Sequence, residues 1–317
     1  MKKYIIENEY QKITLLNYGA TIYLWEAFSD RRNIVISNLD LKDYTRPKTG
    51  FLSNTIGRVA NRIKNGIFTL NDKTYNLEIN FPGAHGHGGN DGFFQRKFSV
   101  EEHTKTKIVF KHEAKHLESG YPGKVDVLVT YELNNNEMLM TYNAVAYDDT
   151  ILNLTNHAYF NLSAENNILN HKIIGDTYKI LETDKELNPT GKTLDYQDDI
   201  YDLTKEKVLK EVVLSKQALM KADGLDHFFM FNENKEIELI YNNKSLKIET
   251  SYPGLQIYTM QNKITQPLLN RKYEKYLGIA FECQFEPDAI NQPNFSSIIL
   301  RKGEKYDQFI KYTIKES

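Results

Sequence analysis

The sequence is poor in cysteine and has no excess of charge of either sign. Its one cysteine, Cys283, excludes a disulfide framework within the chain and is typical of a reducing compartment. The 40 Lys and Arg residues nearly balance the 42 Asp and Glu residues, whereas nucleic-acid binding needs clustered basic residues that neutralise phosphates. No apolar run approaches the roughly 18 residues of a membrane-spanning helix, and no signal peptide is evident. We therefore expect a cytoplasmic protein with neither a nucleic-acid nor a membrane partner.

Tryptophan and helix signals are also scarce, whereas strand signals are frequent. There is 1 Trp against 21 Tyr and 16 Phe, and aromatic residues are enriched in strands. Alternation of polar and apolar residues, which predicts strands with one buried face, occurs at residues 12–16, 22–28, 124–133, 139–147, 236–241, 246–250 and 255–260. One helix is predicted over residues 204–220, with Thr204 as its cap. Because turn signals separate the runs and no linker is evident, we expect a single all-β domain over residues 1–317, a large antiparallel sandwich or barrel.

The segment 153–162 combines an apolar and a polar face around one histidine. If the segment is extended, its odd positions are mostly polar and include His157, while its even positions are mostly apolar. The apolar face should be buried, which leaves His157 among hydrogen-bonding groups. An imidazole has an ordinary pKa near 6.5 and therefore suits proton transfer at neutral pH. A structural histidine is the alternative interpretation of the same pattern.

A second segment, 281–293, places a carboxylate between apolar neighbours. Glu282 and Gln284 share one face of the predicted strand, and Phe281, Cys283 and Phe285 share the other. Desolvation on an inward-facing strand would raise the pKa of this carboxyl group and make it a more effective general base. A solvated glutamate on a strand face is equally consistent with the segment alone.

The remaining candidates for a functional site are two glycine-containing segments and one acidic residue. The segments are residues 57–63 and 85–93. His85 and His87 are two residues apart, but a metal site needs three or four ligands and no partner spacing is evident, so no metal is expected. A phosphate loop would need a following helix and a lysine. The glycines favour a tight loop that brings backbone close to a ligand. Asp226, beside His227, either accepts hydrogen bonds from sugar hydroxyls or caps a turn.

Taken in order, these segments resemble the aldose 1-epimerase (galactose mutarotase) family. Residues 57–63 match the family's G-R-x-A-N-R-I, and residues 87–93 match H-G-G-x-x-G-F. Residues 153–162 resemble N-L-T-N-H-x-Y-F-N-L, residues 224–227 resemble G-x-D-H, and residues 282–293 match E-x-Q followed by P-D-A-x-N-Q-P. Weaker similarities occur at residues 17–20, 120–123 and 253–256. The resemblance thus covers nearly the whole chain.

The resemblance implies a single large antiparallel β-sandwich, the galactose mutarotase-like supersandwich, that interconverts the α and β anomers of free hexoses such as galactose and glucose without a cofactor. Glu282 would be the general base at the anomeric hydroxyl, and His157 the general acid at the ring oxygen. His87, favoured over His85 by the glycines that follow it, would assist at the ring oxygen or an adjacent hydroxyl. The residues expected to hold the sugar are Asn61, Arg62, Asp226 and Gln256. The protein would be a monomer or a homodimer.

Three other functions compete with this interpretation. A hexose-6-phosphate 1-epimerase of the same fold would need basic residues aimed at a phosphate, and the sequence does not place any. A non-catalytic sugar-binding protein would not need both Glu282 and His157. A glycoside hydrolase needs two carboxylates beside a glycosidic bond; Asp226 and Glu282 would supply them, but His157 would then have no role.

Overall fold

Strands account for nearly all of the regular structure in the computed structural model, which describes residues 1–46, 50–196 and 199–317. The strands, in chain order, are β1 (Lys3–Glu7), β2 (Lys12–Leu16), β3 (Thr21–Ala27), β4 (Arg32–Asn33), β5 (Thr55–Ile56), β6 (Arg62–Lys64), β7 (Ile67–Leu70), β8 (Lys73–Asn76), β9 (Ala84–Gly86), β10 (Ser99–His103), β11 (Lys107–Ala114), β12 (Val125–Asn134), β13 (Glu137–Ala146), β14 (Thr150–Ile151), β15 (Thr155–Asn156), β16 (Tyr159–Phe160), β17 (Lys172–Gly175), β18 (Thr177–Thr183), β19 (Pro189–Asp195), β20 (Lys207–Val208), β21 (Asp226–Phe231), β22 (Glu236–Tyr241), β23 (Lys244–Thr250), β24 (Gly254–Tyr258), β25 (Ile279–Gln284), β26 (Ile299–Leu300) and β27 (Lys305–Glu316). The α-helices are α1 (Leu209–Val213) and α2 (Lys216–Ala222), and the 3₁₀ turns are Leu41–Thr45, Phe93–Gln95, Glu118–Gly120 and Ala289–Asn291.

Three larger antiparallel sheets carry the fold. The nine-stranded sheet has the order β10-β11-β12-β13-β27-β23-β22-β17-β20, and the six-stranded sheet has the order β16-β25-β24-β21-β18-β19. The four-stranded sheet has the order β1-β2-β3-β4, and the remaining strands form two-stranded pairs. Because neighbours such as β12 and β13 are joined by short turns, they pair antiparallel along their whole length.

The alternation of β12 shows how the sequence builds the nine-stranded sheet. Val125, Val127, Val129 and Tyr131 are fully buried, while the residues between them are partly exposed. A strand that buries alternate side chains on one face is stable only when that face packs against a second layer. The hairpin to β13 turns through Asn135, whose φ of 51° lies in the left-handed region that asparagine tolerates.

Aromatic side chains join the three sheets in the core. Trp25 of the four-stranded sheet lies edge-on to Tyr312 of the nine-stranded sheet, with ring centroids 5.5 Å apart. Phe160 of the six-stranded sheet packs on the same tyrosine at 5.7 Å. The three sheets therefore contribute side chains to one hydrophobic core. This confirms the predicted all-β antiparallel sandwich.

The predicted strands are confirmed, whereas the predicted helix is wrong in its extent. Each predicted strand lies within two residues of an observed strand at both ends, and residues 12–16 and 236–241 coincide with β2 and β22. The helix predicted over 204–220 does not begin at Thr204, because Lys207 and Val208 pair as a strand with β17. It is also interrupted between α1 and α2. Within α1, Leu209, Val212 and Val213 are buried.

Glycines let the segments 57–63 and 85–93 approach each other closely. Gly88 has a φ of +80°, and a Cβ atom there would lie 2.0 Å from the carbonyl oxygen of Gly57. A Cβ atom at Gly57 would in turn lie 2.5 Å from the ring of Phe93 and 2.6 Å from Leu154. The glycines therefore bring the 57–63, 85–93 and 153–162 segments together where a larger residue would not fit.

A buried arginine ties the same region to the turn at residues 120–123. Arg58 is 2% exposed, and its guanidinium donates to the carbonyl oxygens of Pro122 at 2.7 Å and Gly123 at 2.8 Å. It also donates to Thr150 Oγ1 at 3.1 Å. These bonds reduce the cost of burying the guanidinium, and they give the 120–123 segment a structural role. Among the residues that the structure describes, no helix is both long and apolar enough to cross a membrane.

The close approach at Gly88 predicts that Gly88→Ala destabilises the protein more than a matched substitution does. Gly303 has a similar φ of +78°, but a Cβ atom there would meet nothing within 4 Å, so Gly303→Ala isolates the backbone cost, about 1–2 kcal/mol. Gly88→Ala adds a clash, and overpacking costs a further ~1–3 kcal/mol. Differential scanning calorimetry should show the larger fall in Tm for Gly88→Ala; equal falls would contradict the close approach.

Candidate active site

A cavity of about 330 Å³ is lined in part by residues of β16, β25, β24 and β21, four adjacent strands of the six-stranded sheet. All seven residues singled out in the sequence for catalysis or sugar binding line it: Asn61, Arg62, His87, His157, Asp226, Gln256 and Glu282. Three come from strands of the six-stranded sheet, three from the 57–63 and 85–93 segments, and His157 from the segment between β15 and β16. Residues far apart in the sequence thus share one pocket.

Glu282 and His157 meet at the floor of this cavity. Glu282 lies on β25, where it is paired with Gln256 of β24, and His157 lies between the short strands β15 and β16. The Nε2 atom of His157 is 3.3 Å from Oε1 of Glu282, and the two residues are 4% and 2% exposed. Main-chain hydrogen bonds fix the backbone of His157, because its N–H donates to the Asn54 carbonyl and its own carbonyl accepts from the Ser53 N–H, both at 3.0 Å.

His87 is held against the backbone of Asn61. The His87 N–H donates to the carbonyl oxygen of Asn61 at 2.8 Å, and the Asn61 N–H donates to Nδ1 of His87 at 3.2 Å. His85 points elsewhere: its Nδ1 is 2.7 Å from the carbonyl oxygen of Glu78, and it does not line the cavity. Of the two histidines weighed in the sequence, the structure therefore places His87 at the cavity.

A hydrogen-bonded pair, Gln256 and Asp226, lies beside Glu282, because Gln256 is its neighbour across the strands. Nε2 of Gln256 donates to Oδ1 of Asp226 at 2.6 Å. The guanidinium of Arg62 lies 5.0 Å from the ring centroid of Phe81 and is close enough to Asp226 for their charges to affect each other's pKa. This part of the cavity therefore presents both hydrogen-bond donors and hydrogen-bond acceptors to a polar ligand.

Burial shifts the titration of the floor residues in opposite directions. Burial, reinforced by the negative charge of Asp226, raises the pKa of the Glu282 carboxyl well above its ordinary value. Burial lowers the pKa of His157 to about 4. Burial has the largest effect on His87, and the neighbouring groups His157 and Arg62 add a smaller electrostatic effect. Together they hold the pKa of His87 far below its usual range. Over the range between their pKa values, Glu282 and His157 together bind one proton, and they titrate as a pair.

Sequence reasoning missed the aromatic residues of the cavity. Phe51 lies with its ring centroid 4.8 Å from that of His87 and 5.6 Å from that of His157, and Tyr159 lies 4.8 Å from His157. Tyr159 shares the odd positions of its segment with His157, a signal that was present in the sequence. Phe51 and Phe81 lie outside the matched motifs, so no pattern marked them. The mouth contains further polar residues: Asn262, Lys263, Thr265 and Gln266.

The floor residues can move a proton between two nearby atoms of one ligand. A carboxyl group and an imidazole in contact, both facing a cavity, form a matched base and acid. Within the described parts of the chain, His87, His157 and Glu282 also form a group whose potential metal-ligating atoms all lie within 4.8 Å of one another. The sequence did not indicate this group because its members come from distant segments. The expectation that no metal is needed stays a prediction.

Comparisons with known proteins agree on one family. A family model described as aldose 1-epimerase matches residues 2–313. The galactose mutarotase of Homo sapiens is 33% identical over 323 residues, which cover 97% of this chain and 92% of that protein. The aldose 1-epimerase of Haemophilus influenzae is 30% identical, covering 96% and 92% of the two chains. Among solved structures, an aldose epimerase homologue from C. elegans has a TM-score of 0.93 at 27% identity, covering 99% of both chains. A galactose 1-epimerase from Lactobacillus acidophilus has a TM-score of 0.87 at 25% identity, covering 99% of this chain and 94% of that one.

Proposed function

Because the chain belongs to the aldose 1-epimerase family, we propose that Glu282 and His157 are the base and the acid of its reaction. The protein is an aldose 1-epimerase, an isomerase that interconverts the α and β anomers of an aldose. The observation that carries the residue assignment is the 3.3 Å approach of His157 Nε2 to Glu282 Oε1 at the floor of the cavity. The anomeric hydroxyl and the ring oxygen are bonded to the same carbon, so their proton acceptor and donor must be close neighbours.

The reaction needs only two proton transfers. Glu282 takes the proton of the C1 hydroxyl, and the electron pair left on that oxygen forms the carbonyl group of the open chain. The bond between C1 and the ring oxygen breaks, and His157 gives its proton to the ring oxygen. Rotation about the C1–C2 bond presents the other face of the carbonyl, and the reverse steps close the ring as the opposite anomer. After closure both groups are in their starting protonation states.

The opposed pKa shifts suit this exchange. The neutral pair, with the proton on Glu282, and the ionised pair, with the proton on His157, contain the same number of protons. Bound hydroxyl groups that donate to the carboxylate favour the ionised form, which is the form that the first step uses. The pair therefore needs no proton from solvent to begin the reaction, because it keeps one proton over the range between the lowered pKa of His157 and the raised pKa of Glu282.

The sugar is held by Asn61, Arg62, Asp226 and Gln256, with His87 donating to the ring oxygen or an adjacent hydroxyl. Neutral polyhydroxylated ligands are bound by a few directed polar groups against apolar surface. Arg62 and Asp226 carry charges of opposite sign, so they partly cancel each other's effect on a ligand. Among the described lining residues the other cation is Lys263, which is exposed at the mouth. This arrangement favours an unphosphorylated aldose over a hexose 6-phosphate.

The finer assignments follow the relatives. Proteins named galactose mutarotase are among the similar chains, so we propose free hexoses such as galactose and glucose as substrates and a role in galactose metabolism. The single buried cysteine supports a cytoplasmic location, with no nucleic-acid or membrane partner. No cofactor is required, because neither a hydride nor a phosphoryl group moves.

Substituting either member of the pair should abolish most of the activity. Each positioned acid or base contributes about 10²–10⁴ in rate, so Glu282→Gln and His157→Asn should each slow mutarotation by that factor. Polarimetry of freshly dissolved α-D-galactose and α-D-glucose measures the approach to equilibrium rotation. The control is Glu286→Gln, which changes another buried carboxyl group that contacts Ser296 rather than the cavity. Full activity in Glu282→Gln would refute the assignment.

The influence of Asp226 on Glu282 predicts a change in the pH profile. When pH rises through the raised pKa of Glu282, the pair loses its one proton and kcat/KM falls. Asp226→Asn removes a negative charge that raises this pKa, so the alkaline limb of kcat/KM should move to lower pH. Asp184→Asn, which removes a charge near Arg62 but not one that shifts Glu282, should leave the limb in place. A limb unchanged in Asp226→Asn would contradict this electrostatic coupling.

A further inference from the structure

We propose that the main-chain N–H of Asn61 fixes His87 as the tautomer with hydrogen on Nε2, so that His87 is a permanent hydrogen-bond donor to the sugar. In this state His87 neither transfers protons nor binds a metal ion. The inference rests on the proposed function for the identity of the ligand, but its central evidence is the geometry of two residues. His87 and His157 then have different roles, although their ring centroids are only 5.4 Å apart.

The tautomer follows from the identity of the hydrogen-bond partners. The Asn61 N–H lies 3.2 Å from Nδ1 of His87, and a main-chain N–H is a donor only. Nδ1 must therefore present its lone pair, and a neutral ring then carries its hydrogen on Nε2. Phe51 and Phe81 pack edge-on against the ring with centroids at 4.8 and 5.4 Å. These contacts restrict the ring from turning over.

The backbone on both sides is built to make this contact. Arg62 of β6 is paired with Gly86 of β9, so Asn61 and His87 come next to each other at the end of this ladder. Both have positive φ values, 61° for Asn61 and 51° for His87. The His87 N–H returns a hydrogen bond to the Asn61 carbonyl at 2.8 Å. Asparagine is among the few residues that occupy the left-handed region readily, which gives position 61 a main-chain role beside any side-chain contact with the sugar.

The same contact opposes metal binding by the cluster of His87, His157 and Glu282. A histidine that binds a metal through Nε2 carries its hydrogen on Nδ1 and donates it to an acceptor. At His87 that hydrogen would point at the N–H of Asn61, so this ring is a poor ligand and two ligands remain. Two ligands fall short of the three that a catalytic metal site uses.

His157 is not restrained in this way. Its Nδ1 is buried without a hydrogen-bond partner in the structure, and its Nε2 faces Glu282. His157 can therefore exchange a proton with Glu282, whereas the N–H of Asn61 occupies Nδ1 of His87 and keeps that ring in one neutral form. A fixed donor aimed at the ring oxygen stabilises the negative charge that develops there as the C1–O bond breaks.

Nitrogen-15 NMR of protein labelled at histidine tests the tautomer directly. The His87 resonances, identified by their loss in His87→Gln, should show an unprotonated Nδ1 and a protonated Nε2 across neutral pH. A protonated Nδ1, or a titration of His87 within that range, would overturn the proposal. The spectrum does not depend on turnover. The tautomer of His87 can therefore be determined even if the proposed function is wrong.

Two substitutions at position 61 separate its main chain from its side chain. Asn61→Gly keeps the N–H and the left-handed backbone, so the His87 spectrum should be retained although KM rises through loss of the amide side chain. Asn61→Val disfavours that backbone and should alter the His87 spectrum and lower kcat about 10-fold or more. If Asn61→Gly loses the His87 spectrum, the proposal is wrong. Should Asn61→Val fail to fold, the wild-type spectrum and Asn61→Gly still decide.

Titration calorimetry with ZnCl₂ tests the metal part of the proposal. The wild-type protein should show no one-to-one zinc binding that depends on His87. Stoichiometric binding that is lost in His87→Gln would show that Nε2 of this residue is free to act as a ligand, and would overturn the proposed tautomer. Heat signals that are equal in wild type and His87→Gln come from other sites and agree with the proposal.

Discussion

The contact between Glu282 and His157 is the constraint on which the site depends. A carboxyl group and an imidazole 3.3 Å apart, both almost cut off from water, are costly to keep in a folded protein. The raised pKa of Glu282 expresses that cost, because the folded chain binds this proton more tightly than the unfolded chain does. Protonation of Glu282 therefore contributes most to the stability of the fold at low pH, and this contribution is lost as pH rises through the raised pKa. An active site that sacrifices some stability in this way is a common compromise in enzymes.

The sandwich supplies the rigidity that this contact needs. Glu282 lies on a fully buried strand between two neighbours, whereas His157 lies in an irregular segment that has little regular pairing of its own. The irregular segment is positioned by main-chain hydrogen bonds to residues 53 and 54 and by the glycine contacts around Gly57 and Gly88. Arg58 extends that support to the 120–123 turn. The motif residues thus serve two purposes: some face the ligand, and others hold those that do.

Much of the fold follows from alternation, and the exceptions have physical causes. Strands such as β12 and β22 are predictable because their side chains alternate between buried positions and positions that are at least partly exposed to solvent. The helix fails at Thr204 because pairing of Lys207 and Val208 with a distant strand overrides local propensity, which no local pattern reveals. Spacing alone left His157 and Glu282 ambiguous, and only the family resemblance related the two. Phe51 and Phe81 could not be recognised, because residues outside regular strands or helices do not follow a repeating pattern of polar and apolar positions. The main-chain role of Asn61 depends on a left-handed backbone conformation that the sequence alone does not reveal.

A crystal structure of Glu282→Gln with an aldose bound measures the central claim most directly, since the substitution slows turnover while preserving the shape of the side chain. The account predicts one pyranose in the cavity with its anomeric hydroxyl within hydrogen-bonding distance of the side chain at position 282 and its ring oxygen within that distance of Nε2 of His157. A sugar bound with C1 directed toward the mouth, beyond reach of both side chains, would contradict it.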